Sequence, residues 1–382
     1  MTTLTTTTDS EPGTGRAPRR RRQGEGQRQS VAGWLFVTPV LVLLGLFLII
    51  PIGMALWVSF TDWNGRGSPF SSRVNLVGAE NYAALLTEPG LSRQDFMISL
   101  RNTFYYVVGV VPLQTVIALL LAVIVNQKFL RGRTFFRTAF YFPSVVSSVA
   151  ISLVFLFLFT GTGAVNQFLA VFGIDGPQWF SDPRGLIHII GDWLGLWTVG
   201  SPPEALDGTQ VMSLSLWQWL SGPSVALTAI MAQVIWTTAG TFMLLFLAGL
   251  QDLPTEVEEA AMVDGANRWQ RFRNVTLPHL RPTILLVITL GIIGTWQVFD
   301  QMYVMTQGGP AKTTLTPAFL SYTAAFRQQQ WGQGAAMAFL LFLLIFVLTS
   351  LQRFVLRDKD EAATRKAERR QQRAARRRGA TA

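Results

Sequence analysis

Hydrophobic positions in this chain come in long blocks, and charge is confined to the connections between them. No charged residue occurs from Gln29 to Thr61, Asn102 to Gln127, Thr138 to Ile174, Gly208 to Gln251, Pro282 to Phe299, or Gln328 to Gln352. An α-helix needs about 20 apolar residues to cross the hydrocarbon core of a bilayer. Each block holds such a window, the fifth with least to spare. The pattern predicts six transmembrane helices. They run at about Trp34–Phe60, Phe104–Val125, a stretch within Thr138–Ile174 ending near Phe159, Val225–Leu250, Pro282–Phe299 with room to reach Val304, and a stretch within Gln328–Gln352. Pro39 and Pro51 permit bends in the first. That first block exceeds the roughly 7–15-residue apolar core of a signal peptide, and no small-residue cleavage site follows it, so it is read as an uncleaved span. The expected fold class is all-α, a polytopic membrane protein.

Between the fourth and fifth blocks lies Asp252–Pro282, a long, densely charged segment. It carries five acids (Asp252, Glu256, Glu258, Glu259, Asp264) and four arginines (Arg268, Arg271, Arg273, Arg281). Its spacing predicts two short helices. Thr255 is placed to cap the first, with Glu258 as the capping-box partner. Gly265 falls where a C-terminal cap glycine belongs. A second helix is expected from Asn267 to Val275, with Trp269 and Phe272 on one face, and Pro278 and Pro282 are expected to fence it from the next span. Ala260 and Ala261 are small enough to let a partner approach the backbone.

A second connection, Gly161–Ser224, is unusually long. Gly185–Gly200 within it is apolar but short and interrupted by Asp192, which suits an interfacial or re-entrant piece better than a seventh span. Trp179, Trp193, Trp197, Trp217 and Trp219 suit a membrane-interface belt.

Composition agrees with the pattern. The 382 residues are 49% apolar and 14% charged, against roughly 25% charged in ordinary soluble domains. The net charge is +10, which in a soluble chain would suggest nucleic acid. Here the excess sits in two basic tails, and topology accounts for it without a nucleic-acid partner. With both tails in the cytoplasm, 25 of the 32 Lys and Arg lie inside and seven outside, as the positive-inside rule requires. The Asp252–Pro282 loop is then cytoplasmic. The expected layout is a disordered basic tail at residues 1–30, a membrane domain at 31–356, and a basic tail at 357–382 held near anionic lipid. One extra span in the long connection would turn the charged loop outward, against this count.

Several chemistries are absent. There is no cysteine, and the two histidines, His188 and His279, belong to no cluster with metal-ligand spacing, so no metal or cofactor is expected. A P-loop needs Gly-Lys-Ser/Thr, and glycine precedes none of Lys128, Lys312, Lys359 and Lys366. No catalytic residue is expected; a pump built on this chain needs its engine on another subunit. Polar groups that could line a pathway cluster late in the fifth block. Asp300 is the acid nearest the apolar body of any span, and intramembrane acids usually face a cavity or a partner. Trp296, Gln297, Phe299 and Tyr303 surround it in sequence, and Trp296, Asp300 and Tyr303 share a face if the helix is continuous. Stacking rings with amides suit a sugar; an equally open alternative is that Asp300 sits at headgroup level among belt aromatics. Ser147, Ser148, Gln233, Trp236 and Thr237 are weaker lining candidates.

Two motifs carry a family resemblance. The order Glu259-Ala260-Ala261, Gly265, Val275 and Leu277-Pro278 between two spans resembles the signature loop of permeases of ATP-binding-cassette importers, with Val275 where isoleucine is usual. The stretch from Trp296 through Gln307-Gly308-Gly309-Pro310 resembles the carbohydrate-uptake branch, the maltose and glycerol-phosphate importer type. The resemblance covers most of Trp34–Leu356, apart from the long external connection. It implies a permease subunit in the cell membrane that forms half of a sugar pathway. The implied partners are a second, non-identical permease, two ATP-binding subunits, an extracytoplasmic solute-binding protein and membrane lipid. Glu259, Ala260, Ala261, Asp264, Gly265 and Pro278 would make the ATPase contact, and Gly265→Asp would spare insertion but abolish transport. Two rivals stand beside this reading: an ion-coupled secondary transporter of a small polar solute, and a non-transporting scaffold.

Overall fold

The computed structural model describes residues 22–127, 130–198 and 201–355. The tail before Arg22 and the basic tail 357–382 lie outside the described residues. Residues up to Trp57 form one compact unit, and those from Val58 a second.

The first unit contains α1 (Arg22–Leu44), a π-turn (Gly45–Ile49) and all but the last residue of α2 (Ile50–Val58). Helix therefore begins within the stretch expected to be a disordered tail. Gly33–Val58 is long and apolar enough to cross a membrane. The π-turn stands immediately before the Ile50-Pro51 pair. A proline ring in an α-helix clashes with the carbonyl four residues back and donates no hydrogen bond, and a wider turn accommodates both.

The second unit opens with α3 (Glu80–Leu86), followed by α4 (Leu91–Asn126), α5 (Arg133–Val145) and α6 (Ser148–Leu158). The long connection between α6 and α11, called external for the side that the charge count predicts, holds α7 (Ala164–Val171), α8 (Leu186–Trp193), α9 (Glu204–Asp207), the two-residue strands β1 (Gln210–Val211) and β2 (Leu214–Ser215), and α10 (Leu216–Trp219). The remainder is helical: α11 (Val225–Gln251), α12 (Thr255–Val263), α13 (Arg268–Arg271), α14 (Leu277–His279), α15 (Arg281–Trp296), α16 (Pro317–Tyr322) and α17 (Trp331–Val355). Among the described residues four helices are long and apolar enough to span a membrane. Two bent pairs bring the number to six when each pair counts as one crossing.

The centre is α11, the most buried of the four candidate spans. It packs along α4, with α5 and α15 beside it. Toward one end Tyr106, Val110, Leu227, Ile230, Val234, Val298 and Met302 share a core. Toward the other, Ala118, Ala122, Met243, Phe246 and Leu280 do so. The α5–α11 crossing is close at Gly240, where a Cβ would stand 2.1 Å from the carbonyl oxygen of Phe140.

Two spans differ from the expected continuous helices. The third breaks at Val146-Ser147, where α5 and α6 bend by 97°. The fifth ends its regular helix at Trp296, is irregular at 297–299, and resumes at Asp300 into a π-turn (Met302–Thr306). The second span extends further than predicted. α4 has 36 residues, about 54 Å at 1.5 Å per residue, well beyond a bilayer core of roughly 30 Å. Its polar first part anchors the Gly308-Gly309-Pro310 turn region: Asn102 Nδ2 donates to the carbonyls of Lys312 (2.8 Å) and Leu315 (3.0 Å).

The external connection folds on itself. Leu186 N donates to Pro223 O and Val225 N to Arg184 O, closing the segment at its base. His188 stacks on Trp217 with centroids 3.8 Å apart; its Nε2 lies 3.1 Å from Trp217 O. Trp197 meets Trp217 edge-on and donates from Nε1 to His188 O. This corrects the expected tryptophan belt. Trp217 is buried; Trp179, Trp197 and Trp219 are half-buried and spend their ring N–H groups inside the protein, on Asn166, His188 and Val211. Of the five, Trp193 is the one left broadly exposed. α8, with eight residues, is not a span, as expected.

Candidate functional site

The charged loop between α11 and α15 is built as a presented surface. No residue of α12 is buried. Its start departs from the expected capping box: Pro254 is the N-cap, without a side-chain bond, and Thr255 is already helical. The extended ψ of Pro254, 132°, makes the turn into the helix that a Thr255 cap would have made. Glu256 and Glu258 lie in the first turn, where the helix dipole favours negative charge.

The other end matches the glycine cap. Gly265 has φ +78° with open space where a Cβ would go. Its N–H donates to Met262 O, and that of Ala266 to Ala261 O. These are the paired bonds of a Schellman motif. Gly265 is therefore required for its left-handed backbone and not for a close neighbour. Asp264 is the C-cap residue, and Glu259, Ala260 and Asp264 are exposed, with Ala261 half-buried.

Asn267 then caps the second helix with a full capping box to Gln270. Helix runs from Arg268 through a π-turn (Phe272–Thr276) into α14. Pro278 sits inside this run, two residues past the π-turn, so it does not fence the helix off; the 64° bend falls at Leu280. The π-turn is placed before Pro278 as the other is before Pro51. Trp269 and Phe272 stack with centroids 5.8 Å apart. The loop also exposes apolar side chains amid its charge, Val263 at 88% and Trp269 at 65%. Both signals were present in the sequence as apolar residues in a charged, water-facing loop.

The second feature is a cavity of about 300 Å³ among α4, α11 and α15, with the break after α15 at its edge and a largely apolar wall that carries several polar groups. Gln297 and Asp300 line it, together with Tyr106, Gln114, Thr238 and Gln301. A smaller cavity of about 170 Å³ shares Thr238 and Gln301 with it and is lined by Ser148, Gln233 and Thr237. Gln301 Nε2 donates to Ser148 Oγ at 3.1 Å, joining the two broken spans.

The shared face of Trp296, Asp300 and Tyr303 does not form, because the helix is interrupted between the first two. Trp296 is buried with Leu341 and Ile345 of α17. Tyr303 packs with Phe299, Phe319 and Tyr322, with the Arg327 guanidinium over its ring. Trp236 is exposed, and Ser147 is the N-cap of α6. Tyr106, Gln114, Thr238 and Gln301 were not singled out from sequence: a lone polar residue in an apolar helix does not reveal which side it faces.

Comparison with known proteins places the chain in a family. Residues 114–360 match the family described as binding-protein-dependent transport system inner membrane component. The lactose transport system permease protein LacF of Rhizobium radiobacter is 32% identical over 86% of this chain and 95% of its own length. The multiple sugar-binding transport system permease protein MsmF of Streptococcus mutans is 30% identical over 84% and 93%. In fold, the chain is similar to the crystal structure of a bacterial transporter that imports the acidic polysaccharide alginate. The TM-score is 0.66 at 18% identity, over 88% of this chain and 99% of that one. The chain belongs to the binding-protein-dependent permease family. It is a multi-pass transmembrane permease subunit of an importer, and ATP hydrolysis belongs to partner subunits. The ion-coupled and scaffold alternatives are thereby set aside.

Proposed function

We propose that this subunit forms half of a sugar pathway and receives the ATPase stroke through the α12–α14 segment. The observation that carries this reading is that no residue of α12 is buried in its own chain, while a Schellman cap closes the helix at Gly265 between two membrane spans. Glu259, Ala260, Ala261, Asp264 and Gly265 supply the docking face, and Pro278 continues the rigid run toward the bend at Leu280. The cavity bordered by Gln297, Asp300 and Gln301 is the pathway wall. The names of the relatives, lactose and multiple-sugar permeases among them, support sugar as the cargo.

The remaining assembly follows the same reading: a second, non-identical permease, two ATP-binding subunits inside, and a solute-binding protein outside. Residues 31–356 are the transporting domain, and both termini are cytoplasmic by the charge count. ATP-driven closure of the ATPase pair moves each coupling segment, and the bend at Leu280 transmits that motion to α15 and the cavity wall.

Mild-detergent purification from native membrane, with mass spectrometry of the co-purifying chains, tests the proposal. An ATPase and a second permease should appear, both diminished by Gly265→Val, and uptake should survive collapse of the ion gradients. Recovery of the chain alone after mild crosslinking, or uptake that stops with the gradients, would overturn it.

A further inference from the structure

Two buried side-chain groups on α4 border the larger cavity and lack a full set of partners. Tyr106 is 0% exposed and Gln114 1%. Tyr106 Oη and Gln114 Nε2 have no hydrogen-bond partner in the protein. A buried polar group without a partner costs about 1–3 kcal/mol, so such groups call for an explanation. Both residues line the same space. Gly291 keeps the Gln114 amide unobstructed, since a Cβ there would lie 2.6 Å from Nε2.

The chemistry of the free positions is specific. Thr238 Oγ1 lies 2.6 Å from Gln114 Oε1 and 2.7 Å from Val234 O, and its single proton serves one of them. If it goes to Val234, the amide turns its nitrogen to Thr238 and leaves its oxygen facing the cavity. A hydroxyl both donates and accepts, so it satisfies either end of the amide and also the Tyr106 phenol. A carboxylate or phosphate oxygen only accepts: it would serve the phenol and the amide nitrogen but not an amide oxygen turned to the cavity, so the case against an anion rests on charge.

Charge points the same way. Neither cavity is lined by lysine or arginine, and Asp300 is the lone carboxylate. An anion entering here would meet a like charge in a medium of low dielectric, with no counter-charge on this wall. We propose that Tyr106 and Gln114 form a hydroxyl-recognition subsite, and that the cargo is an uncharged polyhydroxylated compound, a neutral sugar or polyol and not a uronate or sugar phosphate. This rests on the reading of the chain as a sugar permease and narrows it. It also separates this chain in chemistry from the alginate importer that its fold resembles.

The test uses the complete importer with its binding protein, reconstituted in proteoliposomes. The probes are labelled lactose, an arabino-oligosaccharide and glycerol as neutral compounds, and glycerol 3-phosphate and an alginate trisaccharide as acidic ones. The wild type should carry a neutral probe and neither acidic one. Tyr106→Phe and Gln114→Met should each lower that uptake by about threefold to tenfold, the worth of one neutral hydrogen bond. Tyr106→Phe removes only the unpaired hydroxyl, so its melting temperature should hold or rise, which separates lost recognition from lost folding. Wild-type uptake of an acidic probe overturns the inference and leaves the sugar-permease reading standing. Undiminished neutral uptake by both variants overturns the subsite. Uptake of none of the five probes overturns both readings together.

Discussion

The two long connections of this membrane protein resolve the same problem in opposite ways. Each must order polar and apolar residues outside the bilayer. The external connection does so in part through its own contacts: its base is closed by main-chain bonds, and His188, Trp197 and Trp217 make a small core. The α12–α14 segment is ordered by its caps and buries almost nothing, leaving Val263 and Trp269 bare. The external connection has a core of its own, although Phe168, Val171, Trp193 and Leu196 stay exposed on it. The α12–α14 segment has no such core, and its exposed apolar side chains suit the docking role proposed above.

The sharpest way to break this comparison is Gly265→Val. A β-branched residue is poorly suited to φ +78°, and left-handed backbone costs an L-residue about 1–2 kcal/mol. Uptake should fall to background while membrane insertion and the external connection stay intact. Asp is better tolerated there than Val, so Gly265→Asp would report on charge more than on backbone. Wild-type uptake by the valine variant would remove the loop from the transport cycle.

The reverse experiment is Trp217→Ala. Loss of a buried tryptophan costs about 3–5 kcal/mol, and limited proteolysis should open the external connection first. ATPase co-purification should be unchanged. An unaltered proteolysis pattern would mean that the stacked core does not hold this region.

A smaller effect is expected at Asn267. Asn267→Ala removes the capping box and about 1 kcal/mol. Amide exchange should quicken at residues 268–271 and stay unchanged in the external connection. Equal change in both would join the two regions into one cooperative unit.

The smallest effect is that of pH on the external connection. Burial holds His188 below the ordinary value of 6.5, and the nearby Arg101 adds to this, against the opposing Trp217 carbonyl contact. The folded state therefore binds fewer protons than the unfolded one, and stability rises with pH. The contribution should be fully present above 6.5 and be lost as pH falls below it, and His188→Gln should flatten that slope in a thermal melt.

Much of this was legible from the residues. The uncharged blocks announced six crossings because a bilayer core demands about 20 apolar residues in a row, and four appear as single helices. The Gly265 cap was legible because its bonds join residues three and five apart. Three expectations failed for one shared reason. The Thr255 cap, the proline fence at Pro278 and the common face of Trp296 with Asp300 all assumed ideal helix. Proline geometry at Pro254, a π-turn before Pro278 and a break at 297–299 intervened. The tryptophans misled because composition near a membrane does not reveal which ring meets which.

By itself, then, the sequence determined the crossings, the uneven spread of Lys and Arg among the connections, the absence of an ATPase motif and the left-handed turn at Gly265. Each depends on composition or on neighbours a few residues apart. Only the tertiary structure decided that the third and fifth spans break and face each other at Ser148 and Gln301. It alone decided that Trp217 is core, and that Tyr106 and Gln114 look into one cavity with Asp300. These depend on contacts between residues distant in the chain, where packing sets direction and no local period records it.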